Sequence, residues 1–336
     1  MALLQTLLLR LVTTAVTLFG VAVIVFFVIR VVPGNPIAMM LPPGATQADI
    51  DQLTALYGLD KSIPQQFLIW GLGVLHGDFG TSITLRQPVL ALVLGRLPAT
   101  LELSVMALVM AVLVGGAAAL TGTRLRATKV EGGIDIANGM ALSVPDFLWG
   151  LVLILVFGVL VPVFQISGRV TPSLQLPFVT NFYLVESIVR LRFDLTKDLL
   201  SHMFLPAVAL AIPLAAIIGQ LLKQSLKETM HLDYVTLART QGYSEARVIW
   251  REALPNAILP TLTLVGVQFT FLIGGTVIIE RLFSYEGLGN MAIDAVINRD
   301  LPLIQGIVIL FAVIFTGVNL VVDLTYAALN PRLRHG

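Results

Sequence analysis

Apolar residues run along this chain in blocks far longer than a water-soluble helix requires. Segments near 9–31, 100–120, 203–222, 257–279 and 303–327 each supply about the 20 apolar residues that cross a hydrocarbon layer of about 30 Å. They predict five transmembrane helices. The first is too long for a signal-peptide core, and Pro33-Gly34-Asn35-Pro36 follows it with no small-residue cleavage site, so it reads as a retained helix.

A sixth span, near 134–163, is predicted as kinked or broken. Asp135 and Asp146 lie in its first half and Pro145 interrupts it, whereas Phe147 to Phe164 is continuously apolar. Six spans place both termini on one side. Lys and Arg divide almost equally between the two sets of loops, so short loops and helix ends decide the orientation. Arg124, Arg126 and Lys129 crowd one short loop, and Arg332 and Arg334 crowd the tail. Both termini and the 223–255 loop are therefore expected in the cytoplasm.

The opposite side then holds two long segments, 33–98 and 164–202. Within the first, Thr46-Gln47-Ala48-Asp49 reads as a variant capping box for a helix whose apolar stripe is Ile50, Leu53 and Tyr57, stopped at Gly58. Gln65 to Leu75, with Phe67, Ile69 and Trp70, reads as a second helix suited to the bilayer surface. No internal repeat or separate soluble domain is evident, so 1–336 is expected to form one membrane domain.

Composition narrows the function. The 336 residues are 57% hydrophobic and 12% charged, about half the charge of an ordinary soluble domain. A net charge of +1 with scattered basic residues gives no field that would recruit nucleic acid. With no cysteine there is no disulfide framework, thiolate metal site or thiol nucleophile. His76, His202, His231 and His335 show no metal-ligand spacing, and Ser143 lacks the setting of a nucleophile. No Gly-x-x-x-x-Gly-Lys-Ser/Thr phosphate loop occurs, so the chain has no P-loop site for ATP.

The most informative polar segment lies between the fourth and fifth spans, from Lys223 to Asn256. It is too polar for lipid and rich in helix formers. One helix is expected to run to Gln241 and break at Gly242. A second, capped by Ser244, is expected from Glu245 to Ala253 and to be closed by Pro255. The small Ala238 is expected to let this hairpin approach another protein closely.

Asp233-Tyr234-Val235-Thr236-Leu237-Ala238-Arg239-Thr240-Gln241-Gly242, followed by Leu254-Pro255-Asn256, resembles the EAA coupling loop of ABC importer permeases. The resemblance extends nearly end to end to the dipeptide, oligopeptide and nickel permeases. Pro33-Gly34-Asn35-Pro36, Tyr57-Gly58-Leu59-Asp60, Gly77-Asp78-Phe79-Gly80, Arg96-Leu97-Pro98-Ala99-Thr100, Gly287-Leu288-Gly289, Arg299-Asp300-Leu301-Pro302 and Asn330-Pro331-Arg332 all stand where that family has like residues. The departures are Asn35 and Tyr285-Glu286, together with Thr236, Gln241 and Glu252, which leave the coupling loop less basic than is usual there.

The resemblance implies an all-α integral membrane protein of the type I ABC importer permease fold, with a long extracytoplasmic loop after its first helix. It implies an inner-membrane subunit that pairs with a second, homologous permease and receives solute from a periplasmic binding protein. Two separate ATPase subunits would bind ATP and Mg, the chain itself needing no cofactor. Asp233, Tyr234, Ala238, Arg239, Gly242, Leu254, Pro255 and Asn256 would contact the ATPase. Short peptides are the expected solute, with nickel or metal chelates, glutathione and opine-like solutes as alternatives.

Ionisable groups in or near a span suggest function by default, and Glu102, Asp146 and Asp323 qualify. Pairing or capping is expected of Glu102 and Asp323. Asp146, beside Pro145 in the broken span, is the candidate pathway residue. Two rival classes stay open: a proton-coupled secondary transporter using these three carboxylates, and a membrane scaffold with no transport at all.

Overall fold

The computed structural model describes residues 2–31, 46–48, 51, 54, 60–174 and 176–329. Among them the regular structure is helical, apart from one isolated bridge between Thr81 and Pro88. Five helices are long and apolar enough to cross a membrane, and a bent pair makes a sixth span.

In chain order the helices are α1 (Ala2–Val31), α2 (Ile63–Leu75), α3 (Val89–Arg124), α4 (Lys129–Ser143), α5 (Asp146–Leu153), α6 (Tyr183–Val189), α7 (Phe193–Thr229), α8 (Asp233–Thr240), α9 (Glu245–Arg247), α10 (Leu254–Leu282), α11 (Leu288–Ile297) and α12 (Leu301–Leu329). Wider π turns occupy Ile154–Leu160 after α5 and Val248–Ala253 between α9 and α10. Most of the expected helix from Thr46 to Gly58 lies outside the described residues, as do Pro33-Gly34-Asn35-Pro36 and Asn330-Pro331-Arg332.

Two compact units divide the chain: Met1–Leu97 with Met291–Gly317, and Pro98–Asn290 with Val318–Gly336. In the first, Phe26 of α1 is fully buried and meets α2 at Phe67, edge-on with 5.1 Å between ring centroids, and at Trp70, tilted at 5.4 Å. Asp300, also buried, precedes α12 and caps it. One of its carboxylate oxygens accepts from the Leu303 N–H at 3.2 Å, and the other accepts from the Ser82 hydroxyl at 2.5 Å and the Thr84 N–H at 3.0 Å. A single carboxylate thus starts a membrane helix and holds the 82–84 loop against it.

The second unit is organised around α7, which is buried along most of its length despite Pro206 and Pro213 inside it. Leu103, Met203, Leu205, Leu210, Ile218, Ile279 and Phe283 belong to its core. Gly115 of α3 and Gly219 of α7 mark a close helix crossing. A Cβ on Gly219 would lie 3.0 Å from the Gly115 carbonyl oxygen, and a Cβ on Gly115 would overlap the Ala215 carbonyl. Small residues at such a crossing let two backbones gain dispersion contact where lipid offers no hydrophobic drive.

The break expected in the third span is present. The helices Lys129–Ser143 and Asp146–Leu160 are bent by 102° at Val144-Pro145, because Pro145 has no N–H to continue the ladder and forces its predecessor out of the helical region. Val144 is accordingly extended, with φ −110° and ψ 125°. Across the bend the Trp149 indole N–H donates to the Ala141 carbonyl at 3.4 Å.

Candidate functional site

The polar hairpin between α7 and α10 is assembled by its own sequence. Met230, His231 and Leu232 carry the chain from α7 to α8 through turn hydrogen bonds: Met230 N–H to Leu226 C=O at 2.9 Å, His231 N–H to Glu228 C=O at 3.2 Å and Leu232 N–H to Thr229 C=O at 3.0 Å. Asp233 begins α8, where a carboxylate favours the helix N-terminus.

The helix ends in a Schellman motif. Gly242 adopts φ +81°. Its N–H donates to the Arg239 carbonyl at 2.9 Å, and the Tyr243 N–H donates to the Ala238 carbonyl at 3.3 Å. A side chain at position 242 would meet nothing within 4 Å, so backbone handedness and not space demands glycine. Ser244 then caps α9, accepting from the Arg247 N–H at 3.5 Å.

Two of the expected site residues meet directly, the Asn256 side-chain amide donating to the Tyr234 hydroxyl at 2.7 Å. Arg239 donates from Nε to Glu245 at 3.0 Å and from a terminal nitrogen to the Met230 carbonyl at 3.3 Å. These bonds tie α8 to the second arm and to the link with α7.

Ala238 does something other than what its size implies in sequence. It is 5% exposed and packs with Val235 and Val248, flanked by Met230 and Tyr243. Its small volume closes the hairpin on itself. The outward face of α8 is Asp233, Thr236, Leu237 and Thr240, all exposed.

The second arm also departs from expectation, since Pro255 does not close it. The chain runs as one helical rod from Glu245 to Leu282. A π turn over Val248–Ala253 precedes Leu254-Pro255, which occupy the first turn of α10. The wider turn opens the ladder just where the ring needs a partnerless nitrogen, so proline is accommodated without a break. Leu254 sits half-buried beside the buried Ala253 and Ala257, in a cluster with Ala119, Leu222 and Leu226, and so roots the rod on α3 and α7.

Glu102 pairs and caps, as expected of it. Its carboxylate lies 2.8 Å from the Arg169 guanidinium and accepts from the Leu184 and Val185 N–H groups, at 2.9 and 3.2 Å, in the first turn of α6. Arg169 also donates to the Asn181 carbonyl at 2.7 Å and stacks 4.0 Å over the Tyr183 ring. Asp146 lies half-buried at the 102° bend, where one oxygen accepts from the Phe147 N–H at 2.8 Å. The Asp323 side chain lies outside the described residues.

Glu280 was not foreseen. Fully buried at the end of α10, it accepts from the Thr100 hydroxyl at 2.6 Å and the Asn290 N–H at 2.9 Å. The Leu288 N–H in turn donates to Thr100 at 2.8 Å. Gly287 passes so close to the carboxylate that a Cβ there would overlap it. The signal was available in Gly287-Leu288-Gly289, a tight glycine pair that lets backbone approach a carboxylate.

Residues 111–335 match the family described as binding-protein-dependent transport system inner membrane component, and residues 3–104 match the description given for its N-terminal region. The chain belongs to this family. It is a multi-pass inner-membrane permease subunit of an ABC importer, a class that works with ATPase and substrate-binding partners.

Among relatives, the dipeptide transport system permease protein DppB of Escherichia coli is 37% identical over 340 residues, 99% of either chain. The di/tripeptide transport system permease protein DppB of Pseudomonas aeruginosa is 35% identical over 322 residues, 95% of either chain. The fold resembles a solved chain of the MetNI methionine ABC transporter in an inward-facing conformation. That likeness has a TM-score of 0.53 at 13% identity and covers 69% of this chain and 93% of that one. The family's six-span type I architecture accounts for the five continuous spans and one broken span.

Proposed function

We propose that this permease subunit forms, with a second homologous permease, the membrane path for short peptides delivered by a periplasmic binding protein. The observation that carries this reading is identity of 35–37% along nearly the whole length of two proteins named for di- and tripeptide transport. Two ATPase subunits grip the hairpin through Asp233, Tyr234, Arg239 and the outward residues of α8, while Ala238, Gly242, Leu254, Pro255 and Asn256 give it its shape. Both termini and this hairpin lie in the cytoplasm, and the 33–98 segment lies outside. ATP and Mg belong to the partners, since this chain has no phosphate loop.

ATP-driven closure of the ATPase pair binds the hairpin differently in two states, and that difference supplies the work of switching access across the membrane. Asp146 lines the path, where a broken backbone is tolerated because it faces a cavity. The test is thermal stabilisation of the cognate binding protein by di- to hexapeptides, glutathione and chelated nickel. Stabilisation by the peptides is expected. A response confined to glutathione or nickel refutes the peptide assignment.

A further inference from the structure

The Lys223 ammonium lies between two carboxylates of another helix, 2.9 Å from Glu131 and 2.8 Å from Asp135. Lys223 belongs to the last two turns of α7, and its side chain is only 20% exposed. Its aliphatic stem runs over Gly122 of α3, where a Cβ would sit 3.6 Å from the Lys223 Cε. Glu131 and Asp135 stand in the first two turns of α4. Glu131 is itself anchored, its second oxygen accepting from the Ala127 N–H at 2.7 Å.

The apolar hold on α4 is sparse, with Ala141 its one buried residue. Gly132, Gly133 and Gly139 have no neighbour within 4 Å of a would-be Cβ. Ile134 reaches Gly122 of α3, and the ionic contacts at Lys223 add the directed, charged tie between the N-terminal half of α4 and α7. A partly buried cation that satisfies two carboxylates at hydrogen-bond distance is a stronger and better oriented tie than an exposed pair.

On either side the chain runs directly into the elements to be coupled. The α7–α8 link is closed by the three turn hydrogen bonds of residues 230–232, so a displacement of the hairpin reaches the end of α7. Beyond α4 the chain bends by 102° at Pro145, beside Asp146.

We infer that Lys223, clamped by Glu131 and Asp135, is the positioning residue that makes α4 move with α7 and so carries hairpin motion to the bend in the third span. This rests on the coupling role proposed for the hairpin. The test uses the full importer in proteoliposomes with its binding protein. It also uses a single cysteine, Met140→Cys, on the exposed side of α4, since the chain has no cysteine of its own. The readouts are ATP hydrolysis and the rate of maleimide labelling before and after trapping with ATP and vanadate, neither of which requires the solute to be known.

In the parent the labelling rate changes at least threefold on trapping. Lys223→Met abolishes that change while hydrolysis continues, Lys223→Arg restores it, and the pair Glu131→Gln with Asp135→Asn reproduces the loss while keeping the lysine. Retention of the parent change by Lys223→Met, or by the double carboxylate variant should the former not accumulate, overturns the clamp. So does a parent whose labelling does not change. Gly242→Val separates the two readings: if it too keeps the change, the coupling role of the hairpin has failed, and if only Gly242→Val loses it, the clamp alone has failed.

Discussion

Arg169 and Glu102 form an ion pair at 2.8 Å with their side chains only 5% and 4% exposed. The carboxylate starts α6 and the guanidinium holds the 181–183 turn, so the pair fastens an otherwise loop-rich segment to α3. Breaking a buried pair strands a charge, at about 3–5 kcal/mol. Arg169→Met is expected to lower the thermal midpoint of the detergent-solubilised protein sharply, and Glu102→Leu on top of it to recover part of the loss. Equal, additive losses in a double-mutant cycle contradict that coupling.

The hairpin permits a separation of shape from docking. Gly242→Val forces a β-branched residue into left-handed backbone, a local cost of about 1–2 kcal/mol, and is expected to abolish ATP-driven uptake while the protein still inserts. Ala238→Trp does the same by prying Val235 from Val248. Leu237→Asp changes only the outward face, where Leu237 is 58% exposed. It is expected to weaken retention of the ATPase at least tenfold in pull-down with the hairpin intact. Undiminished uptake by Gly242→Val, or retention unchanged by Leu237→Asp, contradicts the assignment.

Glu186 offers a pH signature outside the spans. The Thr180 hydroxyl, then the Val179 and Thr180 N–H groups and the Arg190 guanidinium, hold its carboxyl down at about 2, from an ordinary 4.5. Folding thus gains from its ionised form above pH 4.5, and that gain is lost as pH falls through about 2. Glu186→Gln is expected to melt below the parent at pH 7, with the difference closing between pH 4.5 and 2. A gap that stays constant across that window disproves the assignment of the effect to this carboxylate.

Orientation is open to direct measurement in a chain without cysteine. Single cysteines at Gln47 or Ser173 are expected to react with an impermeant maleimide from outside intact cells, and cysteines at Ser244 or Lys129 only after permeabilisation. The reverse pattern inverts the topology.

Hydropathy located the five continuous spans and the bent sixth found among the described residues, but few of their helix ends. Pro98 hid the first turns of α3, which begins at Val89, because a proline that reads as a boundary is accommodated within a long, well-packed helix. In α7 the prolines Pro206 and Pro213 fell inside the predicted span, and the turns from Phe193 were missed because Asp194, Lys197, Asp198 and His202 make them polar. The bend at Pro145 was legible because two acidic residues and a proline interrupted one apolar run. Glu280 falls one residue past the 257–279 window and its hydroxyl partner, Thr100, is 180 residues away, so only the neighbouring Gly287-Leu288-Gly289 hinted at it. The hairpin's residues were legible as a set. Their division into inward Ala238 and outward Leu237 needed the packing of Val235 against Val248.

The π turn over Val248–Ala253 makes chain length itself a constraint. Each residue of an α-helix turns the chain by about 100°. A one-residue deletion that relaxed this turn to ordinary helix would turn Val248 by about that angle about the rod, away from Val235 and Ala238, while Leu254 kept its seat. Insertions and deletions between Ser244 and Pro255 are therefore costlier than substitutions at the exposed positions of that arm, such as Trp250, because they move every seat on one side of the turn at once.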